Sequence, residues 1–436
     1  MTWNFHRYYN DPSDGLIGKL KLSESRITQL KQLRAKIRDR TKKVFEEAKT
    51  LVQTSNLTSS LESFKARLSD TNLKYLSDED QAEIARLLWN MDEDARNSFL
   101  DLKPRFWTQG SFQYDTLNNP YATPPQEMDI DDGTYLPMEV FKGQPVIGHR
   151  LLILLVDSSL KSLEKENAGW QFDSSKPTCA RLKIPAEHTH IDVPMYAIPR
   201  EQFLLKEDSI AVAKSRVLGM EAMDSIHGSI MFNHEAYRLD EDCVNLALRE
   251  GEKKWIKSDP KIIEDWFIES CERIGPDLRK VCRFMKSWRD AQWQEGGGPS
   301  SISLMAATVS IFDREPLKKG DLGAAMMSLA ENLPREFSNG VESPDHTDEK
   351  PLFPNHLEHG EYEREVIKRL NELHGILVEA QISSTKVLAL DSINRAFGQR
   401  VSKSELIVSE VSAPAFAAEP SRGNEAASIS STMASG

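Results

Sequence analysis

Between Gln109 and Gly133 the chain reads QGSFQYDTLNNPYATPPQEMDIDDG, and the end of this stretch constrains the fold more than any other. In Met128-Asp129-Ile130-Asp131, apolar and acidic residues alternate. Residues two apart in a β-strand face the same side. Asp129 and Asp131 therefore stand together, with Met128 and Ile130 packed into a core behind them. Two carboxylates so placed repel each other unless a cation lies between them. Hard oxygen donors in this arrangement suit Mg²⁺, which also takes oxygens from substrate phosphates. Gly110-Ser111, in a turn context, is the candidate phosphate cradle: glycine allows close backbone approach and serine adds a hydroxyl donor.

A third acid joins them from a distant stretch. His190 to Ile198 (HIDVPMYAI) reads as an apolar strand interrupted by Asp192. A carboxylate in a buried strand is costly unless it is paired or metal-bound, so Asp192 is the third candidate ligand. The simpler alternative pairs it with Arg181, which opens the alternating strand Arg181–Ile184. Three aspartates on neighbouring strands can hold two Mg²⁺ ions roughly 3.5–4 Å apart, with Mn²⁺ as a substitute. Such a site aligns a sugar hydroxyl for in-line attack on a nucleotide α-phosphate. His188 and His190 have the period-two spacing of a metal pair but read as surface strand residues, and no Cys or acid cluster accompanies His356 and His359.

Charge decides between polymer and small nucleotide. The net charge is −12, whereas proteins that grip long nucleic acid carry a basic surface. No apolar run is long enough to cross a membrane; the longest, Leu151–Val156, is followed by Asp157. MTWNFHRYYN lacks the features of a secretory signal. Cys179, Cys243, Cys271 and Cys282 form no CxxC pair, which argues against a zinc ribbon or a disulfide framework and fits a reducing cytoplasm.

At 436 residues the chain suffices for two domains or one bilobal unit. Residues 1–22 show no clear period. A long helix is predicted from Ser23, its apolar positions Ile27, Leu30, Ile37, Val44, Ala48 and Leu51 following helical steps. Its basic run from Arg34 to Lys43 reads as a solvated face. Ser77 resembles a capping box, opening an amphipathic helix to about Leu100. Leu151 to Leu163 fits a strand or a helix, the helix being favoured by Leu160 and Leu163. After about residue 240 the texture turns helical, with Asp259-Pro260 as a helix start. From about Ser409 the composition predicts a disordered tail. The expected organisation is a catalytic lobe over 1–240, a helical nucleotide-binding lobe over 241–408 and a tail over 409–436. The fold class is α+β, with a mixed sheet and the active site in the cleft between two lobes.

Gly-Ser followed by an alternating Asp-x-Asp and a later single Asp resembles the nucleotidyltransferase superfamily that includes polymerase β-like enzymes. The runs QGSFQYDT, QEMDIDDGTY, THIDVPMYAIP, NLALREGEKKWIKSDPKIIEDWF, RKVCRFMKSWRDAQW, GGPSSISLMAATV and ESPDHTDEKPLFP are similar to the bacterial cGAS/DncV-like dinucleotide cyclases, and within them to the DncV-type cyclic GMP-AMP synthases. The resemblance runs from MTWNFH to ISSTMASG. It implies that Asp129, Asp131 and Asp192 are catalytic metal ligands. It also implies nucleotide contacts at Gln109, Gly110, Ser111, Tyr114, Arg181, Ser258, Lys286, Ser301 and Asp348.

Most of these side chains have a plain structural alternative. Lys286 fits an exposed helix face as well as a triphosphate; Tyr114 fits a core as well as a base. Ser258 and Ser301 fit helix starts or turns, and Asp348 fits a polar loop as well as a guanine edge. The activity implied is joining ATP and GTP into 3′,3′-cyclic GMP-AMP, a messenger for a separate effector in anti-phage (CBASS-type) defence. The resemblance further implies an E1/E2-like partner that conjugates the tail through Gly436. A linear or tRNA-type nucleotidyltransferase and an inactive nucleotide-binding protein are the competing readings. The first sits poorly with the acidic charge, and the second with an intact aspartate set.

Overall fold

The computed structural model describes residues 2–55, 60–137, 145–198, 244–250, 255–316, 320–346, 351–354 and 360–410, without the side chains of 145–147. Asp348, Gly436, His356 and His359 lie outside the described residues. Strand β1 (Trp3–Asn4) and the short helices α1 (His6–Asn10) and α2 (Leu16–Leu20) precede the long helix α3 (Glu24–Gln53). Ser23 caps α3 by accepting from the Arg26 N–H, satisfying a donor that every helix start leaves open. Leu30, Ile37, Val44, Ala48 and Leu51 are buried along one stripe.

Helix α4 (Leu61–Ala66) leads to α5 (Asp78–Trp89), capped by Ser77, and α6 (Glu93–Asp101). The single helix expected to reach Leu100 is thus two. Asn90 ends the first, and the Asp92 carboxylate accepts from the Ala95 N–H to start the second, the role in which aspartate is most favourable.

The sheet is built from β2 (Arg105–Gln109), which runs into the one-turn helix α7 (Gly110–Gln113), then β3 (Met128–Pro137). Helix α8 (Pro145–Glu166) settles the ambiguity over Leu151–Leu163. Strands β4 (Gln171–Asp173), β5 (Cys179–Ile184), β6 (Thr189–Ile198), β7 (Asn245–Ala247) and β8 (Trp255–Lys257) complete it. Among the described residues the order is β2-β3-β6-β5-β4, with β7 also on β6 and β8 on β7. β3 and β6 are parallel, and the other pairs are antiparallel. The α+β class with a mixed sheet is therefore observed. A parallel pair needs a long crossover, and α8 with the β4–β5 hairpin lies between β3 and β6 in the chain.

The remaining elements are α9 (Pro260–Ile274), α10 (Asp277–Gln292), α11 (Ser301–Arg314), α12 (Leu322–Asn339), α13 (Glu361–Ile382), α14 (Lys386–Phe397) and β9 (Val408–Ser409). Two large apolar cores divide the molecule. One joins α3, α5 and α8 to the sheet; the other joins α9–α14.

Packing divides at other points than the expected 240 boundary. Tyr8 and Tyr9 are buried in the helical core, where Tyr9 meets Phe284 and Phe397 at 5.0 and 5.7 Å. β1 pairs with β9, so the two ends of the described chain close this core together. β7 and β8, beyond residue 240, belong to the sheet. The reason is composition: the aromatic N-terminus carries no period but offers large apolar area, and three-residue strands are too short to show alternation.

A buried ion pair ties α8 to the chain after β7. Asp157 accepts from Arg249 Nη1 and Nη2 at 2.8 and 2.6 Å, with both side chains under a tenth exposed. Removing one partner leaves an uncompensated charge, which costs about 3–5 kcal/mol. Asp157→Ala is expected to lower urea stability by that amount, and the apolar pair Asp157→Leu with Arg249→Met by much less.

Candidate active site

The register of β3 on β6 assembles the site. Asp131 lies opposite Asp192, Gln109 of β2 opposite Asp131, and Arg181 of β5 opposite Asp192. One row thus reads Gln109, Asp131, Asp192, Arg181 across four strands. The next row on the same face reads Asp129, His190, Lys183. Asp132, pointing the other way, is buried and held by Arg38 and Thr108. The basic run on α3 is therefore more than a solvated face: Arg34 donates to Thr108 and Arg40 to Ser162.

Gly110 turns β2 into α7 at a positive φ of 65°, a region that favours glycine. A Cβ there would sit 2.2 Å from Asp131 Oδ2. The glycine is required both by the turn and by the carboxylate behind it.

The three aspartates differ electrically. Burial, then the charges of Asp129 and Asp192, pushes the Asp131 carboxyl up to about 8. Burial would raise Asp192 too, but Arg181 and Lys176 hold it below the usual range. Arg181 donates to it from Nε at 2.5 Å and Nη2 at 2.8 Å, and Lys176 at 2.6 Å. The pairing of Asp192 with Arg181 is realised, and it leaves Arg181 off the cleft wall.

His190 is not the surface residue its spacing suggested. It is 9% exposed, and its Nδ1 is 2.9 Å from Glu127 Oε2. Its Nε2 lies 3.0 Å from Asp129 Oδ1, too far off-angle for a hydrogen bond, so both atoms are buried without one. Ligand atoms of Asp129, His190 and Asp192 all lie within 4.8 Å of one another. A buried carboxylate oxygen without a donor, beside an aspartate whose carboxyl resists ionisation, fits a divalent cation. From sequence, His190 was weighed as a metal ligand only through its period-two spacing with His188 and was set aside as a surface strand residue; Glu127 was not singled out.

A cleft of about 660 Å³ opens in front of the row. Gly110, Ser111, Tyr114, Asp129, Asp131, Ser258, Lys286 and Ser301 line it. Gln109 does not: its amide donates to Tyr135 Oη at 2.8 Å and accepts from Tyr196 Oη at 3.2 Å, on the aspartates' face but farther along the strands, over Gly133. Its place is structural, holding β2 where Gly110 must turn. Tyr114 packs on Phe267 at 5.9 Å, and burial pushes its phenol pKa up. Ser301 Oγ accepts from Arg289 at 2.8 Å, while Ser300 caps α11. The Ser258 N–H donates to the Val244 carbonyl at 3.2 Å.

Lys286 is buried, and burial followed by Arg289 lowers its pKa to about 7. Its ammonium donates to the Thr116 carbonyl at 2.8 Å. That carbonyl begins a strap from Thr116 to Gln126 that laces the sheet to the helices. Asn118 donates to the Arg283 carbonyl, and Gln126 to the carbonyls of Asp290 and Trp293. Arg400 donates to the Asn119 carbonyl.

Residues 104–196 match the family model of the nucleotidyltransferase domain of DncV-like cyclic GMP-AMP synthases, and 275–410 match that of the cyclic GMP-AMP synthase C-terminal domain. A cyclic GMP-AMP synthase of Vibrio cholerae is 56% identical over the full length of both chains. The chain belongs to the cyclic GMP-AMP synthase family. It is a nucleotidyltransferase with the DncV-like fold.

The Vibrio cholerae DncV structure in complex with the linear intermediate 5′ pppA(3′,5′)pG superposes with a TM-score of 0.82 at 55% identity. That superposition covers 94% of this chain and 99% of the other. A mutant of that enzyme with ATP, GTP and 5MTHFGLU2 gives a TM-score of 0.84 at 55% identity, covering 94% and 100%.

Because the folded Lys286 gives up its proton near pH 7 while the unfolded chain keeps it, Lys286 makes stability rise with pH above 7. Lys286→Met should remove that rise from a series of urea curves between pH 7 and 9. If the ammonium meets nucleotide phosphates, the same variant raises nucleotide KM about 10- to 100-fold, the loss of a charge-assisted hydrogen bond.

Proposed function

We propose that this chain joins ATP and GTP into 3′,3′-cyclic GMP-AMP by two successive nucleotidyl transfers. The observation that carries it is the row of Asp131 and Asp192 in register, with Asp129 beside it, at the back of a cleft sized for nucleotides. In each transfer a 3′-hydroxyl loses its proton, its oxygen bonds to the α-phosphorus of the other nucleotide, and the bond to pyrophosphate breaks. The linear intermediate on the Vibrio cholerae enzyme carries its triphosphate on adenosine and its new bond on the adenosine 3′-oxygen. On that pattern GTP is the first donor and ATP the first acceptor here.

Asp129, Asp131 and Asp192 would hold two Mg²⁺ ions, or Mn²⁺ in their place. Bound there, the ions lower the pKa of the attacking hydroxyl and offset charge on the phosphates. Gly110 and Ser111 approach the donor phosphates. Lys286 and Ser301 face the triphosphate from the helical side, and Tyr114 and Ser258 flank the bases. Arg181, released when Asp192 turns to a cation, becomes a donor to phosphate. Asp348 is assigned to a guanine edge.

The setting proposed is the bacterial cytoplasm, in CBASS-type anti-phage defence. There the product acts on a separate effector, and Gly436 is offered to an E1/E2-like conjugating partner. The catalytic lobe, helical lobe and tail keep their proposed roles over 1–240, 241–408 and 409–436, apart from the short segments that pack across.

Incubation with ATP, GTP and Mg²⁺, followed by phosphatase, tests the activity. A phosphatase-resistant dinucleotide is expected. A phosphatase-sensitive ladder would instead indicate linear polymerisation, and no turnover with Mg²⁺ or Mn²⁺ a binding protein. Asp131→Ala is expected to abolish product with an unchanged thermal midpoint; near-normal turnover would remove the two-metal assignment.

A further inference from the structure

We propose that His190 Nε2 is itself a metal ligand, making one of the two cation positions a mixed nitrogen–oxygen site shared with Asp129 and Asp192. The proposal rests on the metal assignment above and extends it to a residue outside the aspartate set.

Four observations carry it. First, His190 is two residues before Asp192 on β6 and opposite Asp129 in the parallel register, so all three side chains share one face. Second, the ring is seated from behind: Nδ1 lies 2.9 Å from Glu127 Oε2. Metal-binding histidines characteristically donate their other N–H to a carboxylate, which fixes the tautomer and leaves the second nitrogen bare. Third, the bare nitrogen and Asp129 Oδ1 are both buried and neither has a hydrogen bond, although they lie 3.0 Å apart. That placement is poor for a donor and acceptor but suits two neighbouring ligands of one ion. Ligands at right angles and about 2.1 Å from a metal lie about 3.0 Å apart. Fourth, an Asp192 oxygen is within 4.8 Å of both. Lys176, about half exposed, and Arg181 both donate to Asp192 Oδ2, and the ion would take their place there.

The chemical consequence is selectivity. Imidazole is a poorer partner for Mg²⁺ than for first-row transition ions, which prefer nitrogen donors. The nucleotide-free site should therefore favour Mn²⁺ over Mg²⁺ more strongly than three carboxylates alone would.

Pulsed EPR of Mn²⁺ on the nucleotide-free full-length protein tests this. The expected result is a coupling from a directly coordinated nitrogen. It should change when the protein is made with ¹⁵N-histidine and vanish in His190→Leu. Glu127→Gln should weaken Mn²⁺ binding roughly 10- to 100-fold while leaving the coupling in the bound fraction. The ¹⁵N-labelled wild type keeps the test decisive even if the leucine variant fails to fold. Mn²⁺ bound without a coupled nitrogen, or with a coupling that survives in folded His190→Leu, would overturn the proposal while leaving the aspartate site standing. No Mn²⁺ bound by the wild type would overturn both.

Discussion

The parallel pairing of β3 with β6 is the constraint on which the rest depends. It places Asp131 against Asp192 and Asp129 against His190, in adjacent rows of one face. A one-residue slip would send each acid to the opposite face and the apolar partners to the cleft. The pairing is fixed from both sides. Ile130, Ile191 and Val193 are fully buried behind it, and Gln109 is locked between Tyr135 and Tyr196, whose rings stack at 4.6 Å. The apolar face and the tyrosine clamp hold together what the carboxylates alone would push apart.

The electrostatic cost of that juxtaposition is met unevenly. Asp192 has Arg181 and Lys176, and Asp132 has Arg38 on the far face. Among the described residues Asp131 has no ion pair, and burial, with the charges of Asp129 and Asp192, makes its carboxyl hard to ionise. The chain's own cations thus neutralise part of the site and leave one carboxyl for an ion to discharge. This is consistent with a site built to bind a metal and not merely to tolerate buried acids. The cleft shares the chain's acidic balance: Glu127, Asp129, Asp131, Asp259, Asp290 and Asp345 line it against Lys286 and Arg289, so a polyanionic ligand fits there only with cations beside it.

Much of this was legible in the sequence because alternation and helical periods are written in short windows. The MDID alternation located β3, and a single acid in an apolar run located Asp192. Ser23, Ser77 and Asp259 marked helix starts by capping chemistry. Contacts between distant segments were not legible. Nothing in MTWNFHRYYN announces that Tyr9 packs on Phe284 and Phe397, and two three-residue strands carry no period to detect. Gln109 was read as a nucleotide contact from the family resemblance alone, yet its side chain turns to the tyrosines. His190 was read as exposed because spacing alone cannot say which side of a sheet is covered.

The strap from Thr116 to Gln126 shows how the last link, from fold to function, is made. Its sequence suggests only connection, yet its carbonyls and amides reach Arg283, Lys286, Asp290, Trp293 and Arg400. It leaves the turn that follows Gly110-Ser111 and ends two residues before Met128. The segment joining the phosphate cradle to the metal strand is thus also the one fastened to the helical side. Any change in how α10 sits against the sheet must pass through the same hydrogen bonds that position Lys286. Two transfers in one cleft require the intermediate to be re-seated between them. Trp107 and Gln113 add a second tie by donating to Glu264 on the helical side, whereas the register of the aspartates is set within the sheet, by Ile130, Ile191 and Val193 behind it and the Gln109–tyrosine contacts on the cleft face.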